Sequence, residues 1–556
     1  MKKLPKFGCL LGLLAALLGL GLFLRSRPVP EPTFEVQTPF FSGKQVLVLV
    51  PHQDDEVCLA GGILEQYTRA GSRVHLAYAT AGDYYGLAEV RSREALAAAE
   101  LMGIRREDVY WLGYGNQWEP QGEAGHIYFA EDPDSVWTSR FGATATYGTE
   151  AIDPWRESAY TRRNFLRDLT ELIVQLRPDV IYCNDYDPHH DHMALDLLFE
   201  EALGAILADQ PDYRPTVYKG LCYGTAWYAE ADFASGENLR SCPFPDWEYW
   251  GRLGIPYDWD SRVRLPMSAE NLSPILSENT VFRVLQCFES QDARSHARSV
   301  LSGDKVFFQR RTDSLLYNAL FRDGQEPVTI LNDFKLKDSE DFSSLQNSGQ
   351  HFAEAITAEL PEPVRMNQLR LHWTPEPEGT FGGFLRFHDD DQIPFQFSAA
   401  GGVGVIDFPE RLVSGFDLHF TDTQAPGLTE IEAFLTQEEP PQLLMAVDEQ
   451  GDFVYDYHIP AGDTVDLGLY AYPRDSVTSW ADVQITGEGS PGCSWELGED
   501  PLFLRVTCPP QGRAVVTVTW SDQVQTTFTI SNPTPEERQA LRDLQTADLE
   551  QLEGME

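Results

Sequence analysis

Two short clusters of histidine and aspartate residues carry side chains that can hold a metal ion. The first is HQDDE at residues 52–56, and the second is DPHHDH at residues 187–192. Adjacent carboxylates repel one another, and a bound cation allows them to stay ionised side by side. One histidine and one carboxylate from the first cluster, with one histidine from the second, make the three nitrogen and oxygen ligands of a catalytic zinc site. Such a site keeps one position open for water.

Each cluster taken alone also has a purely structural explanation. The aspartates of residues 52–56 are typical helix-capping residues, because a carboxylate accepts hydrogen bonds from the free N–H groups of a first turn. The HHDH of residues 189–192 is compatible with a solvated loop. The presence of both clusters, each directly after a strand-like run, favours a metal site over two unrelated features.

The sequence pattern of residues 44–323 predicts an α/β domain, which must position these clusters. The runs QVLVLV (45–50) and DVIYCN (179–184) predict buried strands, and VRSREALAAAELMGI (90–104) has the composition of a helix. Alternating strands and helices predict a Rossmann-like, mostly parallel sheet with helices on both faces. In such sheets ligands bind at the carboxyl ends of the strands, so both clusters are expected at one edge.

The rest of the chain predicts two all-β sandwich domains. Beyond residue 323, long helical patterns give way to short alternating runs that are separated by Gly, Pro and Asp turns. We predict a first sandwich at residues 324–436, a linker at 437–442, a smaller second sandwich at 443–531 and an acidic tail at 532–556.

We predict that the N-terminal residues 1–28 form a membrane anchor and that residues 29–43 form a linker. Lysines precede an apolar stretch at residues 7–24, and arginines follow it. The length of the stretch is borderline between the core of a signal peptide and a spanning helix. We expect an uncleaved single-pass anchor with the catalytic domain outside the cell, and a cleaved signal peptide is the alternative. Both imply export.

The charge of the chain excludes a nucleic-acid-binding function. The sequence has 42 Lys and Arg against 86 Asp and Glu, a formal net charge of −44. Binding to phosphate backbones needs basic surfaces instead. The eight cysteines are too sparse for a disulfide scaffold. Cys493 and Cys508 flank a strand-like stretch and are either a disulfide pair or two buried thiols.

The two clusters together resemble the motifs of the LmbE/PIG-L family of zinc-dependent N-deacetylases. PHQDDE (51–56) is similar to the family's [AP]-H-P-D-D-E after its first strand, and HHDH (189–192) is similar to its later H-x-D-H. Residues 79–104 resemble the family's T-x-G-(D/E) turn and the R-x-x-E helix that follows it. YWLGYGN (110–116) and LQCFESQ (285–291) resemble two further pieces. The resemblance covers roughly residues 44–320.

The resemblance implies a role for each residue of the two clusters. It implies His52, Asp55 and His192 as ligands of Zn²⁺, although another divalent metal would also suit them. It implies Asp54 as the general base that takes a proton from water. It implies His189 as the residue that polarises the tetrahedral intermediate and acts as a general acid.

Further residues receive supporting roles. The resemblance implies that Arg91 contacts substrate, and an ion pair with Glu94 is the structural alternative. Asp187 and Asp191 are expected to orient the ligand histidines from behind, as outer carboxylates commonly do. Gln53 stands where many family members have proline, which removes no ligand.

Three functions remain open at this level. The first is an exported, membrane-anchored hydrolase that removes the N-acetyl group from an N-acetylglucosamine-type sugar on a cell-surface glycan or glycolipid. The second is a hydrolase of another amide conjugate. The third is a non-catalytic surface protein that binds glycans. Residues 413–435 resemble the closing strands of galactose-binding-like sandwiches, so the domain at 324–436 is a candidate carbohydrate binder. The domain at 443–531 resembles an immunoglobulin-like module by pattern only.

Overall fold

The protein is described from a computed structural model. The described residues are 33–116, 126–187, 189–222, 241, 259–273, 275–293, 300–336, 349–352, 355–376, 378–389, 391–421, 427–540 and 543. The anchor predicted at residues 1–28 lies outside them, as does most of the tail. Within these ranges, no helix combines the length and the apolar character that a membrane crossing requires.

The first domain alternates strands and helices, as the sequence predicts. A short strand, β1 (Glu35–Gln37), precedes it. Its strands are β2 (Gln45–Val50), β3 (Arg73–Thr80), β4 (Val109–Tyr114), β5 (Val180–Asn184), β6 (Thr216–Gly220), β7 (Val263–Pro266) and β8 (Asp304–Arg310). Its helices in the described part of the chain are α1 (Asp55–Ala60), α2 (Leu64–Arg69), α3 (Ala88–Leu101), α4 (Arg162–Leu176), α5 (His190–Asp209) and α6 (Thr280–Leu285).

Seven strands of the described residues form the central sheet in the order β4-β3-β2-β5-β6-β8-β7. The first five of these are parallel, and β8 and β7 extend the sheet antiparallel to their neighbours. Alternate side chains of β2 enter two separate apolar cores: Val46 and Val48 pack on one face, and Leu47 and Leu49 on the other. Because both faces are covered by helices, the strand reads as a continuous aliphatic run.

The second domain is one curled sheet whose long strands bend around a single core. Its strands are β9 (Leu320–Asp323), β10 (Glu326–Val328), β11 (Ala355–Trp373), β12 (Thr380–Phe387), β13 (Gln392–Ser398), β14 (Val403–Phe420) and β15 (Leu428–Phe434). Strand β11 pairs with β14 along both of its halves, and the register shifts between Glu359 and Val364. Bulges of this kind bend strands. Residues of both halves, such as Ile356 and Leu371, are therefore buried in the same core.

The boundary predicted between the first two domains is wrong by several residues. Strand β9 lies within the range assigned to the α/β domain, but it pairs with β11. Leu316 and Phe321 are also buried in the core of the second domain. The short apolar run at 315–321 has no periodicity of its own, so only its partner strand reveals to which domain it belongs.

The third domain is a sandwich of two sheets. Its strands are β16 (Leu443–Val447), β17 (Asp456–His458), β18 (Thr464–Tyr472), β19 (Gln484–Gly489), β20 (Ser494–Leu497), β21 (Leu504–Thr507), β22 (Arg513–Ser521) and β23 (Val524–Ser531). One sheet has the order β16-β18-β21-β20, and the other contains β23, β22 and β19. Cys493 and Cys508 are free thiols in this domain.

The predicted linker at residues 29–43 is not only a linker. Strand β1 pairs antiparallel with β23, placing Glu35 opposite Thr527. Phe34 packs its ring against Tyr455, with centroids 4.4 Å apart. The segment before the α/β domain therefore completes the last domain of the chain, and a three-residue strand carries no sequence signal for so distant a partner.

The third domain shares a core with the α/β domain. Leu443, Met445 and Tyr455 are buried in the same apolar cluster as residues of β2 and α2. The hydroxyls of Tyr218 and Tyr472 lie 2.8 Å apart across the interface. The two domains are therefore packed together as one body rather than joined as independent modules.

Candidate metal centre

The two polar clusters lie at adjacent strand ends. The loop after β2 leads into α1, and the loop after β5 leads into α5. Strands β2 and β5 are parallel neighbours, with Leu49 opposite Cys183. Their carboxyl ends therefore meet at one edge of the sheet, where α/β proteins bind ligands. The polar residues of both loops are buried there under the ends of the helices.

Three side-chain atoms from these loops form a tight triangle. His52 Nδ1 lies 3.1 Å from Asp55 Oδ2 and 3.3 Å from His192 Nε2, and Asp55 Oδ2 lies 3.1 Å from His192 Nε2. A tetrahedral zinc ion with bonds of about 2.0–2.1 Å separates its ligand atoms by about 3.3 Å. The size of the triangle and its two-nitrogen, one-oxygen composition therefore fit a catalytic zinc ion.

The electrostatics of the triangle suit a cation. Burial raises the pKa of Asp55, but the charges and hydrogen bonds of His192 and His52 outweigh it and bring the pKa well below its usual range. Burial lowers the pKa of His192, but Asp187 and Asp55 raise it well above its usual range. The site thus favours positive charge beside an ionised Asp55.

Two further carboxylates hold the histidines from behind. His192 Nδ1 lies 2.8 Å from Asp187 Oδ1, and His52 Nε2 lies 3.1 Å from Asp191 Oδ2. Each contact uses the ring nitrogen that is not part of the triangle. Such contacts fix the tautomer and the orientation of an imidazole and leave its other nitrogen free to bind a metal.

Asp54 is held in an unusual backbone conformation. Its φ is 119° and its ψ is −26°, a region that residues with a side chain rarely adopt. Glu56 supports this conformation, because its Oε2 accepts the Asp54 N–H at 3.0 Å and its Oε1 accepts the Tyr78 hydroxyl at 2.8 Å. Burial, with the neighbouring charge of Asp55, raises the pKa of Asp54 well above its usual range.

His189 caps helix α5 and has a defined protonation state. Its Nδ1 accepts the backbone N–H of Asp191 at 3.1 Å, so the neutral ring carries its proton on Nε2. Burial and the neighbouring His52 and His192 lower the pKa of His189 to about 2. Its ring centroid lies 4.6 Å from that of His52. His189 therefore stands beside the triangle as a neutral hydrogen-bond donor.

Arg91 on α3 lies close to the same loop. Its Nε is buried and has no hydrogen-bond partner among the described residues. Glu94 is engaged elsewhere, because its carboxylate accepts the N–H and the hydroxyl of Ser290 at 2.8 and 2.6 Å. Gln53 donates to the carbonyl of Thr80 at 3.0 Å and ties the loop to β3.

Two residues of the site were not found by the sequence analysis. His126 Nε2 lies 3.0 Å from Asp191 Oδ1, so Asp191 joins His126 to His52. Cys222, just after β6, donates its N–H to Asp187 Oδ2 at 3.2 Å, and it lies with Asp55 and His192 in a group of potential ligand atoms within 4.8 Å of one another. His126 belongs to no sequence motif that would have identified it. For Cys222, the one available signal was its position just after a strand of the predicted sheet.

Comparison with known proteins identifies a family for the part of the chain that carries both clusters. Residues 47–203 match the family model described as PIG-L, GlcNAc-PI de-N-acetylase. No curated protein matches the chain.

Solved structures give weaker likenesses. The N,N'-diacetylchitobiose deacetylase from Pyrococcus horikoshii is 15% identical, with a TM-score of 0.28, and the match covers 57% of this chain and 97% of that one. The 4-carboxy-2-hydroxymuconate hydratase GalB from Pseudomonas putida KT2440 is 15% identical, with a TM-score of 0.25, over 46% of this chain and 82% of that one.

A carbohydrate-binding module, GH31 CBM32-2 bound to GalNAc, is 13% identical, with a TM-score of 0.16, over 21% of this chain and 98% of that one. Scores this low carry no inference about substrate. The family match has a firmer basis, because it contains both polar clusters and the strands that position them. The chain therefore contains a domain of the PIG-L/LmbE family at residues 47–203.

Proposed function

We propose that the protein is a zinc-dependent hydrolase that removes the N-acetyl group from an N-acetylglucosamine-type sugar. The triangle of His52, Asp55 and His192 atoms beside the strained Asp54 carries this proposal. The match of residues 47–203 to a de-N-acetylase family supports the choice of reaction. We propose a glycan or glycolipid of the cell surface as the carrier of the sugar.

His52, Asp55 and His192 would hold the metal. When bound there, zinc supplies Lewis acidity toward an acyl oxygen and lowers the pKa of nearby water. Asp54 is placed between two ligand residues in the loop, and its raised pKa suits a base that takes a proton and then returns it. Asp54 would remove the proton of the attacking water and deliver it to the departing amine, so that acetate and a free amino sugar result.

His189 and Arg91 would stabilise charge and position the substrate. Because Nδ1 of His189 accepts a backbone N–H, its ring proton lies on Nε2, which would donate to the oxygen that becomes negative in the transition state. Arg91 would bind a polar group of the sugar. Asp187 and Asp191 would keep the two ligand histidines oriented.

Exchange of Asp54 for asparagine tests the proposal. We expect D54N to retain zinc at the wild-type stoichiometry while acetate release from N-acetylglucosamine oligomers falls roughly a hundredfold to ten-thousandfold, as for loss of a general base. D134N is the matched control, because Asp134 makes an exposed ion pair with Arg163 and belongs to neither polar cluster. Metal analysis and an acetate assay give the two readouts.

Two results would contradict this function. One is a wild-type protein that binds zinc but releases no acetate from N-acetylated amino sugars, whether monomers, oligomers or glycolipids. The other is a D54N protein that remains fully active. Release of another acid from an amide conjugate by the wild type would instead identify it as a different amidohydrolase that uses the same residues.

We also propose that residues 1–28 anchor the protein in the membrane with the catalytic domain outside, and that the domain at 324–436 binds carbohydrate. The sequence patterns described above support both. Cell fractionation of the full chain and of a chain lacking residues 1–28 tests the first. Glycan binding by the full chain carrying D54N, which should not turn the glycan over, tests the second.

A further inference from the structure

A cavity lies where all three domains meet. It has a volume of about 450 Å³, in the range of sites for small ligands. Arg264 of β7, Arg370 of β11 and Tyr470 of β18 contribute to its wall. Residues that precede β7 and follow β8 also line it, which places it at the edge of the central sheet where the parallel strands begin. His52 and His192 lie at the opposite edge.

The wall of this cavity is cationic although the protein is strongly acidic. Five arginines line it: Arg262, Arg264, Arg311, Arg370 and Arg474. Among the described residues, only two carboxylates, those of Asp260 and Asp475, line it with them, and both side chains are 80% exposed. Since acidic residues outnumber basic ones about two to one in the sequence, this concentration of arginine calls for a reason.

Two of the arginines have close carboxylate partners, and Arg474 donates from Nη1 to the carbonyl of Asp260 at 2.6 Å. Arg311 forms a bidentate pair with Asp313, with distances of 2.9 and 2.6 Å. Arg264 contacts Asp304 at 2.5 Å through Nε and donates from Nη1 to the carbonyl of Gly451. Its side chain is only 7% exposed, and its Nη2 has no hydrogen-bond partner within the residues that the structure describes. The Arg264 guanidinium also lies 4.1 Å from the centroid of the Phe453 ring, so this residue contributes positive charge to the wall from a buried position.

Arg370 and Arg262 are less well neutralised. Arg370 has no ion pair among the described residues; its Nε donates to Gln368 Oε1 at 3.2 Å. Burial and the nearby Arg311 lower its pKa, against the opposing charge of Glu432. Arg262 donates from Nη1 to the carbonyl of Trp259 at 2.8 Å, and its one ion pair among the described residues is with the exposed Asp260 at 3.7 Å. Burial together with Arg264 lowers its pKa. Mutual repulsion of this kind destabilises the empty site and is relieved by an anion.

Aromatic rings accompany the arginines. Phe308, Tyr470 and Tyr472 line the cavity, and the Arg262 guanidinium lies 4.8 Å above the ring of Trp259. Stacking on a ring holds a guanidinium in place while its N–H edge stays available to a ligand. Planar guanidinium groups match phosphate and carboxylate oxygens through paired hydrogen bonds.

We propose that this cavity binds the phosphate or carboxylate group of an anionic sugar. Arg262 and Arg370 would contact the oxyanion, the buried Arg264 would add positive charge behind them, and the neighbouring aromatic side chains would contact the sugar ring. The site is separate from the metal centre and does not depend on the reaction proposed for it.

Calorimetric titration of the full-length protein tests the proposal. The probes are glucose 6-phosphate, glucuronate, inorganic phosphate and uncharged glucose, each at constant ionic strength. We expect binding of glucose 6-phosphate or glucuronate, weakening as salt is raised, and no binding of glucose. The anionic sugar that binds with the higher affinity identifies phosphate or carboxylate as the preferred group. Comparison of the affinities for glucose 6-phosphate and inorganic phosphate shows whether the sugar ring contributes to binding.

Variants link the binding to the cavity. R262Q and R370Q should each weaken binding of the anionic sugar at least about tenfold, the loss expected for a charged hydrogen bond. R365Q, which removes an exposed arginine paired with Glu410 in the second domain, is the matched control and should bind as the wild type does. Acetate release by all three should remain at the wild-type level, since the metal centre lies at the other edge.

The outcomes decide the proposal in either direction. Wild-type protein that binds neither anionic sugar nor phosphate overturns it, and so does undiminished binding by folded R262Q. Thermal melting without ligand provides a check on folding. Because like-charge repulsion is removed, R262Q and R370Q should melt no lower than R365Q. If R370Q fails to fold, R262Q alone decides.

Discussion

At the level of single residues, the candidate metal centre relies on carboxylates that contact the ligand histidines on the side away from the triangle. Asp187 and Asp191 each hold the outward nitrogen of one triangle histidine. Both are buried, and Asp191 also contacts His126. An ionised carboxylate in this position makes the imidazole a stronger ligand as well as a better oriented one.

Removal of one of these charges should weaken metal binding. In D187N the side chain keeps its shape, but the negative charge beside His192 is lost. We expect the affinity for zinc to fall about 10–100-fold, as is typical for such partners. Competition with a chelator of known affinity measures the change, and D134N again serves as the control. An unchanged affinity would mean that Asp187 only fills space behind His192.

The structure brings together those predicted residues that are adjacent to strand ends. His52, Asp55 and His192 belong to contiguous polar clusters after aliphatic runs, so topology alone brings them to one edge. His126 and Cys222 could not be found in this way. His126 follows no strand, and its contact with Asp191 depends on how the chain between β4 and α4 folds back over the site. The conformation of Asp54 is likewise a property of the closed loop and not of its sequence.

At the level of elements, helix α5 connects the metal centre to the second domain. It starts at His190, beside the triangle, and its later turns pack against the segment that follows β10. Gly204 lies at this contact. A Cβ added there would lie 2.8 Å from the carbonyl oxygen of Asp333 and 3.5 Å from Phe334 Cβ. Glycine is needed because the backbone of another domain occupies the space.

Exchange of Gly204 for alanine should therefore destabilise the protein, against the usual trend. Within a helix, alanine is favoured over glycine by about 1 kcal/mol. Here the clash with a main-chain carbonyl should outweigh this gain, and we expect a net loss of about 1–3 kcal/mol in the free energy of unfolding.

Urea denaturation measures the effect. A205G, at an exposed position of the same helix, provides the comparison, with a cost of about 1 kcal/mol from propensity alone. Stabilisation by G204A would show that the two domains separate readily at this point.

At the level of the whole molecule, a buried charged network joins the first two domains. Arg310 of β8 contacts Glu200 of α5 at 3.3 Å and Glu432 of β15 at 3.1 Å. His372 lies 2.9 Å from Glu432. Although burial raises the pKa of Glu432, His372 and Arg310 lower it to about 2. A network of this kind favours one relative position of the two domains, because a shift between them would leave a charge buried without its partner.

The neighbouring Glu430 is expected to oppose this stability. Its pKa is raised well above the usual range by burial and by Glu432 and Asp333, so its ionisation favours the unfolded chain. The destabilisation is absent below the unfolded pKa of about 4.5 and grows as the pH rises toward the folded pKa. E430Q should thus melt like the wild type near pH 4 and several degrees higher at pH 8, while its amide oxygen can still accept the Phe334 N–H.

Calorimetry at both pH values checks this, with E410Q at an exposed ion pair as the control. A melting temperature of E430Q that falls below that of the wild type at pH 8 would contradict it. The sequence could not predict this network. It predicts each domain as a unit from its own periodicity, but Arg310 and Glu432 are 122 residues apart, and only the packed structure pairs them.

The pairing of β1 with β23 has a consequence for how the protein is made. The backbone N–H of Thr33 donates to Thr529, so two segments 496 residues apart must meet. At synthesis rates of about 5–20 residues per second, the first segment leaves the ribosome about 25–100 s before its partner. Throughout that interval β1 lacks its partner strand, and the residues of β2 and α2 that share a core with Leu443, Met445 and Tyr455 lack their cover. A nascent chain of this protein therefore needs protection from aggregation until its last domain has been translated.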